Sequence, residues 1–251
     1  MSSPRFHLTR CATIAAVVCS SFVLCTAAHA APGDLVKHFT GRAFGLKNPN
    51  SIASDGSHVV IVNSGANSVA DVDARTGALV RLMKAKAYHF DSPTGVALDT
   101  THAWITNAAS NSLTEIDVAT GALVKVLSGA SYSFNSPNAV ALSYHHVWVV
   151  NAGANTLTEL DATTGALVKV IRSSSYGFDG ANSIAADAHH LWIANASGNS
   201  LSELSATTGA LVRVLKGPAY GLRGPRAITS DGAHVWVIDY KSNALSELSA
   251  T

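Results

Sequence analysis

Residues 136–179 read SPNAVALSYHHVWVVNAGANTLTELDATTGALVKVIRSSSYGFD, and this stretch is one copy of a 44-residue repeat. Equivalent residues recur at that step along the chain without insertion or deletion. Three columns mark the repeat: Pro49, Pro93, Pro137, Ala181 and Pro225; His58, His102, His146, His190 and His234; and the four tryptophans Trp104, Trp148, Trp192 and Trp236. A period of this length indicates a repeat architecture, which decides the fold before any single motif does.

Each unit contains four short runs rich in Val, Leu, Ile, Thr and Trp, separated by Gly, Asn, Asp and Ser. In the quoted copy these runs predict strands at 139–142, 146–151, 156–161 and 166–171. No useful length of sequence keeps the 3.6-residue period of an amphipathic helix. Four strands per unit are typical of a β-propeller blade, whose apolar faces are buried only against neighbouring blades.

The two ends of the chain decide how many blades we expect. Four units cover 49–92, 93–136, 137–180 and 181–224, and the fifth, 225–251, stops before its last strand. Leu35-Val36-Lys37 stands 44 residues before Leu79-Val80-Arg81, so residues 31–48 are predicted to supply that strand. We therefore expect residues 31–251 to form one all-β domain, a closed five-bladed β-propeller with four antiparallel strands per blade. An open array would leave two unpaired sheet edges.

The first thirty residues differ from the rest of the chain. A short basic start is followed by an apolar run to Ala28, and Ala28-His29-Ala30 has the small-x-small pattern of a cleavage site. This pattern predicts a secretory signal peptide over residues 1–30, an extracellular or periplasmic protein, and no membrane span after cleavage. All three cysteines, Cys11, Cys19 and Cys25, lie in this segment, so the remaining chain would have no disulfide.

Composition narrows the classes of partner. Apolar residues make up 47% of the chain and charged residues 13%, which suits a folded domain with a large core. Beyond residue 30 there are 15 Lys and Arg against 16 Asp and Glu, with neither a basic stripe nor an acidic tail. Nucleic acid and anionic membrane are therefore poor candidate partners.

The segments His146-Val147-Trp148-Val149-Val150-Asn151, Asn155 to Asp161 and Thr164-Gly165 resemble the YVTN/NHL-type propeller repeats of secreted bacterial proteins. The resemblance extends over residues 31–251 and implies a propeller. Such families often have six or seven blades, so five is a departure. A similar repeat occurs in streptogramin (virginiamycin B) lyases, which are metal-dependent enzymes. No isolated His and Glu set interrupts the repeat here, so the resemblance implies no catalytic residue.

Charged columns predict how two strands pair. An acidic residue in the third strand and a basic residue in the fourth recur in each unit, and a short turn ending in glycine would set them opposite each other. The expected pairs are Asp71–Arg81, Glu115–Lys125, Glu159–Lys169, Glu203–Arg213 and, across the chain ends, Glu247–Lys37. The histidine column is expected to bond to turn backbone, because equivalent positions on separate blades cannot meet at one zinc ion. We expect no metal and no cofactor.

Candidate binding residues lie where the inner strands begin and where the repeat is broken. Asn50, Thr94, Asn138, Asn182 and Arg226 open the inner strands and are expected to ring the channel mouth. Asp239 replaces the asparagine of the other four units, and Tyr220 belongs to a recurring aromatic column nearby. Deviations from a repeat are places where specificity can reside, although terminal repeats are often atypical. These seven residues form the predicted ligand site.

The sequence favours a secreted, non-catalytic binding or interaction module, because catalysis needs unlike residues in fixed roles. Its ligand is not identified, and a carbohydrate or other cell-surface component is the candidate class. Two alternatives stay open at this point. The chain could be a propeller enzyme of the streptogramin lyase kind, or an incomplete propeller that assembles as an oligomer.

Overall fold

A computed structural model describes residues 38–40, 42–84 and 86–250. The strands form five antiparallel sheets, one per repeat. Their bounds are β1 Pro49–Ser54, β2 His58–Asn63, β3 Ser68–Asp73, β4 Leu79–Lys84; β5 Pro93–Leu98, β6 His102–Asn107, β7 Ser112–Asp117, β8 Leu123–Ser128; β9 Pro137–Ser143, β10 His146–Asn151, β11 Thr156–Asp161, β12 Leu167–Ile171; β13 Ala181–Ala186, β14 His190–Asn195, β15 Ser200–Ser205, β16 Leu211–Lys216; and β17 Pro225–Ser230, β18 His234–Asp239, β19 Ala244–Ser249.

The prediction of an all-β five-bladed propeller with a 44-residue blade is confirmed. In blade 3 the second and third strands have the predicted bounds, the first is longer at both ends, and the fourth begins one residue later. Short 3₁₀ turns, such as Ala130–Tyr132 and Ser174–Tyr176, lead from the last strand of one blade toward the first strand of the next. No helix among the described residues is both long and apolar enough to cross a membrane.

The turn between the third and fourth strands fixes the pairing register. Asp161 Oδ1 accepts hydrogen bonds from the amide and the hydroxyl of Thr164, at 2.7 and 2.8 Å. Gly165 closes the turn at φ 73°, a left-handed conformation that favours glycine. Lys169 consequently lies opposite Glu159, as predicted, and the same register holds for the predicted pairs in blades 1, 2 and 4.

The core lies between blades rather than within one. Between blades 3 and 4, Trp148 and Leu157 of one sheet share an apolar cluster with Ile184 and Leu191 of the next. Polar contacts add to this packing. Asn155, at φ 51° in the turn before β11, accepts the backbone N–H of Gly180 at 2.8 Å, and its counterparts Asn67, Asn111 and Asn199 do the same at the other junctions.

The first and last blades differ from the inner ones in what they leave exposed. Ile52 of blade 1 is 66% exposed, whereas its counterpart Ile184 is 8% exposed. On blade 5, Ile238 and Leu245 are 53% and 64% exposed, at positions that the other four blades bury completely or nearly so. Blade 5 has three strands among the described residues. The closing strand predicted at residues 35–37 and the signal peptide predicted at 1–30 lie outside those residues.

Candidate functional site

The first strands of successive blades lie side by side around a central cavity of about 1020 Å³. Five of the seven predicted site residues line it: Asn50, Thr94, Asn138, Asn182 and Arg226. They converge because each opens the inner strand of its blade, so the 44-residue step places one of them per blade around the same axis. The rest of the wall is mostly small and apolar.

The neutral members of this column join the blades. Asn138 donates from Nδ2 to the carbonyl oxygen of Asn182 at 2.7 Å, and Asn182 donates in turn to that of Pro225 at 3.5 Å. Asn50 and Thr94 make the corresponding bonds at the first two junctions. These donors are therefore engaged between blades, a role that the sequence alone did not indicate.

Arg226 occupies the fifth place in the column and is different. It is exposed, and its guanidinium carbon lies 5.3 Å from the ring centroid of Tyr240, a cation–π distance. Tyr240 is itself 64% exposed and lines the cavity beside Lys241. The other blades carry only small residues at these two places, so among the described residues that line the cavity the bulky cationic and aromatic groups come from blade 5.

The other two predicted residues do not line the cavity. Asp239 is fully buried, and its carboxylate accepts the backbone N–H of Arg223 at 3.0 Å and the hydroxyl of Ser246 at 2.6 Å. Tyr220 ends the 3₁₀ turn Pro218–Tyr220 and is 38% exposed. In the preceding units the equivalent tyrosine contacts a phenylalanine two residues later, with ring centroids 5.3 to 5.6 Å apart, stacked in blades 2 and 3 and tilted by 40° in blade 4, whereas Tyr220 has Leu222 there.

Asp239 reverses the direction of a buried hydrogen-bond chain. In blade 3 the amide of Asn151 donates to Thr158, and the hydroxyl of Thr158 donates to the carbonyl of Tyr132, at 2.9 and 3.0 Å. In blade 5 both carboxylate oxygens of Asp239 accept, one from the backbone N–H of Arg223 and the other from the hydroxyl of Ser246, so Ser246 donates its hydrogen bond toward Asp239. This substitution is therefore accommodated inside blade 5 and does not place a charge in the cavity.

The histidine column faces the acidic column. His146 Nδ1 lies 2.9 Å from Glu159 Oε1, and Lys169 Nζ lies 3.1 Å from the other carboxylate oxygen. The expectation that the imidazoles bond to turn backbone was wrong: in four blades it is the histidine backbone N–H that the turn aspartate binds, as His58 is bound by Asp55. The acidic-column carboxylate of each of blades 1 to 4 is buried between a histidine and a basic residue. Burial raises the pKa of one of them, Glu115.

These sets repeat from blade to blade with the same partners, which fits a structural role in holding three strands together. They also lie on separate blades. Among residues 38–40, 42–84 and 86–250, no group of three or more His, Cys, Asp and Glu side chains could hold a metal ion. The expectation of no metal and no cofactor stays a prediction.

Comparison with protein-family models finds no match, and comparison with curated protein sequences finds none either. Solved structures do match. A streptogramin B lyase superposes with a TM-score of 0.61 at 15% identity, over 80% of this chain and 68% of that one. The virginiamycin B lyase of Staphylococcus aureus gives 0.60 at 17%, over 80% and 69%. A chain of a nidogen/laminin complex gives 0.64 at 17%, over 81% and 76%. At these identities the likeness concerns the fold, and it confirms the resemblance to lyase-like propellers at that level.

Proposed function

We propose that this chain is a secreted, non-catalytic binding propeller that takes its ligand at the mouth of the central cavity, next to blade 5. The observation that carries the proposal is the make-up of the cavity wall. The neutral residues that open the inner strands join the blades, while Arg226, Tyr240 and Lys241 are exposed at the cavity. A concave surface with a few convergent polar and aromatic groups is the usual form of a ligand site.

A glycan and peptidoglycan array probed with residues 31–251 tests this proposal. We expect the protein to bind one class of carbohydrate on the array, and we expect Arg226→Asn to abolish that binding. This change introduces the residue found at the same place in blades 1, 3 and 4, so it should preserve folding. Lys86→Ser is the matched control, because it removes an exposed lysine of the 3₁₀ turn after blade 1 and places there the residue of the equivalent Ser174. Binding that survives Arg226→Asn unchanged would place the ligand elsewhere.

The lyase alternative and the oligomer alternative are separated by two further measurements. The likeness to lyases is one of fold, and turnover of a streptogramin B antibiotic by the purified protein would refute the non-catalytic proposal. Light scattering after size exclusion gives the mass in solution. A species heavier than one chain would favour assembly through the apolar faces at Ile52, Ile238 and Leu245.

A further inference from the structure

Blade 5 has gained positive charge at three positions that face the same side of the molecule. Arg223 precedes β17, Arg226 is its second residue, and Lys241 follows β18. Their counterparts around blades 2, 3 and 4 are uncharged or acidic: Asp91, Asn135 and Asp179 for Arg223; Thr94, Asn138 and Asn182 for Arg226; Ala109, Gly153 and Ser197 for Lys241. At blade 1 the counterpart of Arg223 is basic, Lys47, but those of Arg226 and Lys241 are Asn50 and Gly65. In a repeat as regular as this one, three such changes in one unit mark a local departure from structural uniformity.

The three cations lie along one continuous surface. Arg223 and Lys241 line an open cavity of about 470 Å³ beside blade 5, together with Lys216 of β16. Lys241 also lines the central cavity, where it stands with Arg226. The two cavities therefore share Lys241, and we call Lys216, Arg223, Arg226 and Lys241 the blade-5 basic track. It leads from the outer cavity to the mouth of the channel.

Among the described residues no ion pair neutralises this track. The described residues that line the two cavities include no carboxylate. Asp239, the acidic residue nearest in sequence, is buried, and its hydrogen bonds go to a backbone amide and to Ser246. All four side chains are exposed, so their charge faces solvent and any ligand placed there.

We propose that the blade-5 basic track binds an acidic oligosaccharide, a sugar chain that carries carboxylate or sulfate groups. This inference rests on the binding function proposed above and adds the ligand class. An extended chain fits better than a single anion, because the cations are distributed over two connected cavities. Arginine and lysine supply charge-assisted hydrogen bonds to anionic oxygens, and Tyr240 offers an exposed ring to an apolar sugar face.

A nucleic acid would also present an extended row of anions beside an aromatic ring. The overall charge argues against it. The sequence pI is about 7.8, whereas domains that bind nucleic acid are typically strongly basic. A short track on an otherwise neutral protein suits a ligand that places a few charges at defined positions.

Calorimetry with oligogalacturonate tests the inference, and the methyl-esterified form of the same oligosaccharide is the neutral control. We expect the acid form to bind and the ester to bind at least about tenfold more weakly, because the charge-assisted bonds are lost. The variant Arg223→Asn/Arg226→Asn/Lys241→Ser carries residues found at these positions in other blades and should lose binding to a similar extent. The control variant Lys84→Ser/Lys86→Ser replaces two exposed lysines at blade 1 by the serines found at these positions in other blades, Ser128 and Ser174. It should bind oligogalacturonate as the unmodified protein does.

The outcomes separate the two proposals. Equal binding of acid and ester, or full binding by the triple variant, would overturn the basic track as the site. Tighter binding of poly-uridine than of oligogalacturonate, lost in the triple variant, would overturn the ligand class. If the array shows a neutral glycan that depends on Arg226 while oligogalacturonate fails to bind, the binding function stands and this inference falls. If neither assay gives binding, both fail.

Discussion

Gly209 in the turn before β16 lies against the indole of Trp148 in the neighbouring blade: a β-carbon built on Gly209 would stand 2.7 Å from Cη2 of that ring. Trp148 is fully buried, and Lys169 Nζ lies 5.9 Å from its ring centroid. The Thr-Gly turns of blades 2, 3 and 4 are therefore part of the junction with the previous blade as well as hairpin connections. This explains why the turn of one blade bears on the packing of the blade before it.

Gly209→Ala should be more destabilising than the same change at a glycine of equal backbone conformation. Gly209 has φ 63° and Gly221 has φ 65°, but nothing lies within 4 Å of a β-carbon built on Gly221. The left-handed conformation alone costs about 1–2 kcal/mol for an L-residue, and the contact with Trp148 should add about 1–3 kcal/mol. Thermal or denaturant unfolding of both variants measures the difference. Equal losses would mean that the turn and Trp148 move apart freely.

A missing hydroxyl in blade 1 offers the opposite test. Asn63 is fully buried, and its amide has no hydrogen-bond partner among the described residues because Ala70 stands where Thr114, Thr158, Ser202 and Ser246 stand in the other blades. Ala70→Ser should supply that partner and raise the free energy of unfolding by about 1 kcal/mol.

The matched control for this change is Ser202→Ala in blade 4. It removes the hydroxyl that accepts the Asn195 amide at 2.9 Å, so it should lower stability by about 1–3 kcal/mol. Urea unfolding of the two variants and of the unmodified protein gives both values. A loss of stability in Ala70→Ser would show that blade 1 has no room for the oxygen.

For the fold, the sequence predicted contacts within a blade but not contacts between blades. The repeat period and the glycine-terminated turn predicted the pairing of Glu159 with Lys169, because local turn chemistry and residue count fix a hairpin register. The bond from Asn155 to the next blade was not predicted, although an asparagine at the same place in all five units was visible. Contacts between blades depend on how sheets stack, which the pattern within one blade does not encode.

The candidate site was also predicted only in part. The convergence of Asn138, Asn182 and Arg226 followed from their shared place in the repeat. Lys241 and Tyr240 were missed, although both break the small-residue pattern that the other units keep there. A comparison of every column, rather than of the conspicuous ones, would have found them. Asp239 faces the interior, as do the buried asparagines at its place in the other blades, and the sequence pattern did not indicate that burial.

Acidification should unfold the protein through its turn aspartates. Hydrogen bonds from Thr76 hold the pKa of Asp73 below its ordinary value, and Thr120 and Thr164 do the same for Asp117 and Asp161. A depressed carboxyl pKa stabilises the fold above the unfolded-state value of about 4, and this stabilisation is lost as pH falls through the folded-state pKa. The melting temperature should therefore drop below about pH 4.

Replacing these three aspartates by asparagine should flatten that drop. The turn accepts a neutral group, since Ser205 takes the place of aspartate in blade 4 and receives the Thr208 amide. The triple variant should have a lower melting temperature than the unmodified protein at pH 7 and a smaller difference from it at pH 3. Glu115 is the internal contrast: burial raises its pKa, so its protonation opposes the loss. Parallel pH profiles for both proteins would show that other carboxylates control acid unfolding.

The closing strand stays a prediction from the repeat, and charge reversal tests it. If Lys37 pairs with Glu247 as Arg213 pairs with Glu203, then Lys37→Glu should destabilise the fold, and Lys37→Glu/Glu247→Lys should recover most of the loss. A cross-strand or partly exposed pair of this kind is worth about 1 kcal/mol or less, so denaturant midpoints at low salt are the suitable measurement. The reversed pair at positions 203 and 213 gives the reference for a strand pair that is present in the structure. If the effects of the two reversals simply add, residues 37 and 247 do not meet, and the ring is not closed by the N-terminal segment.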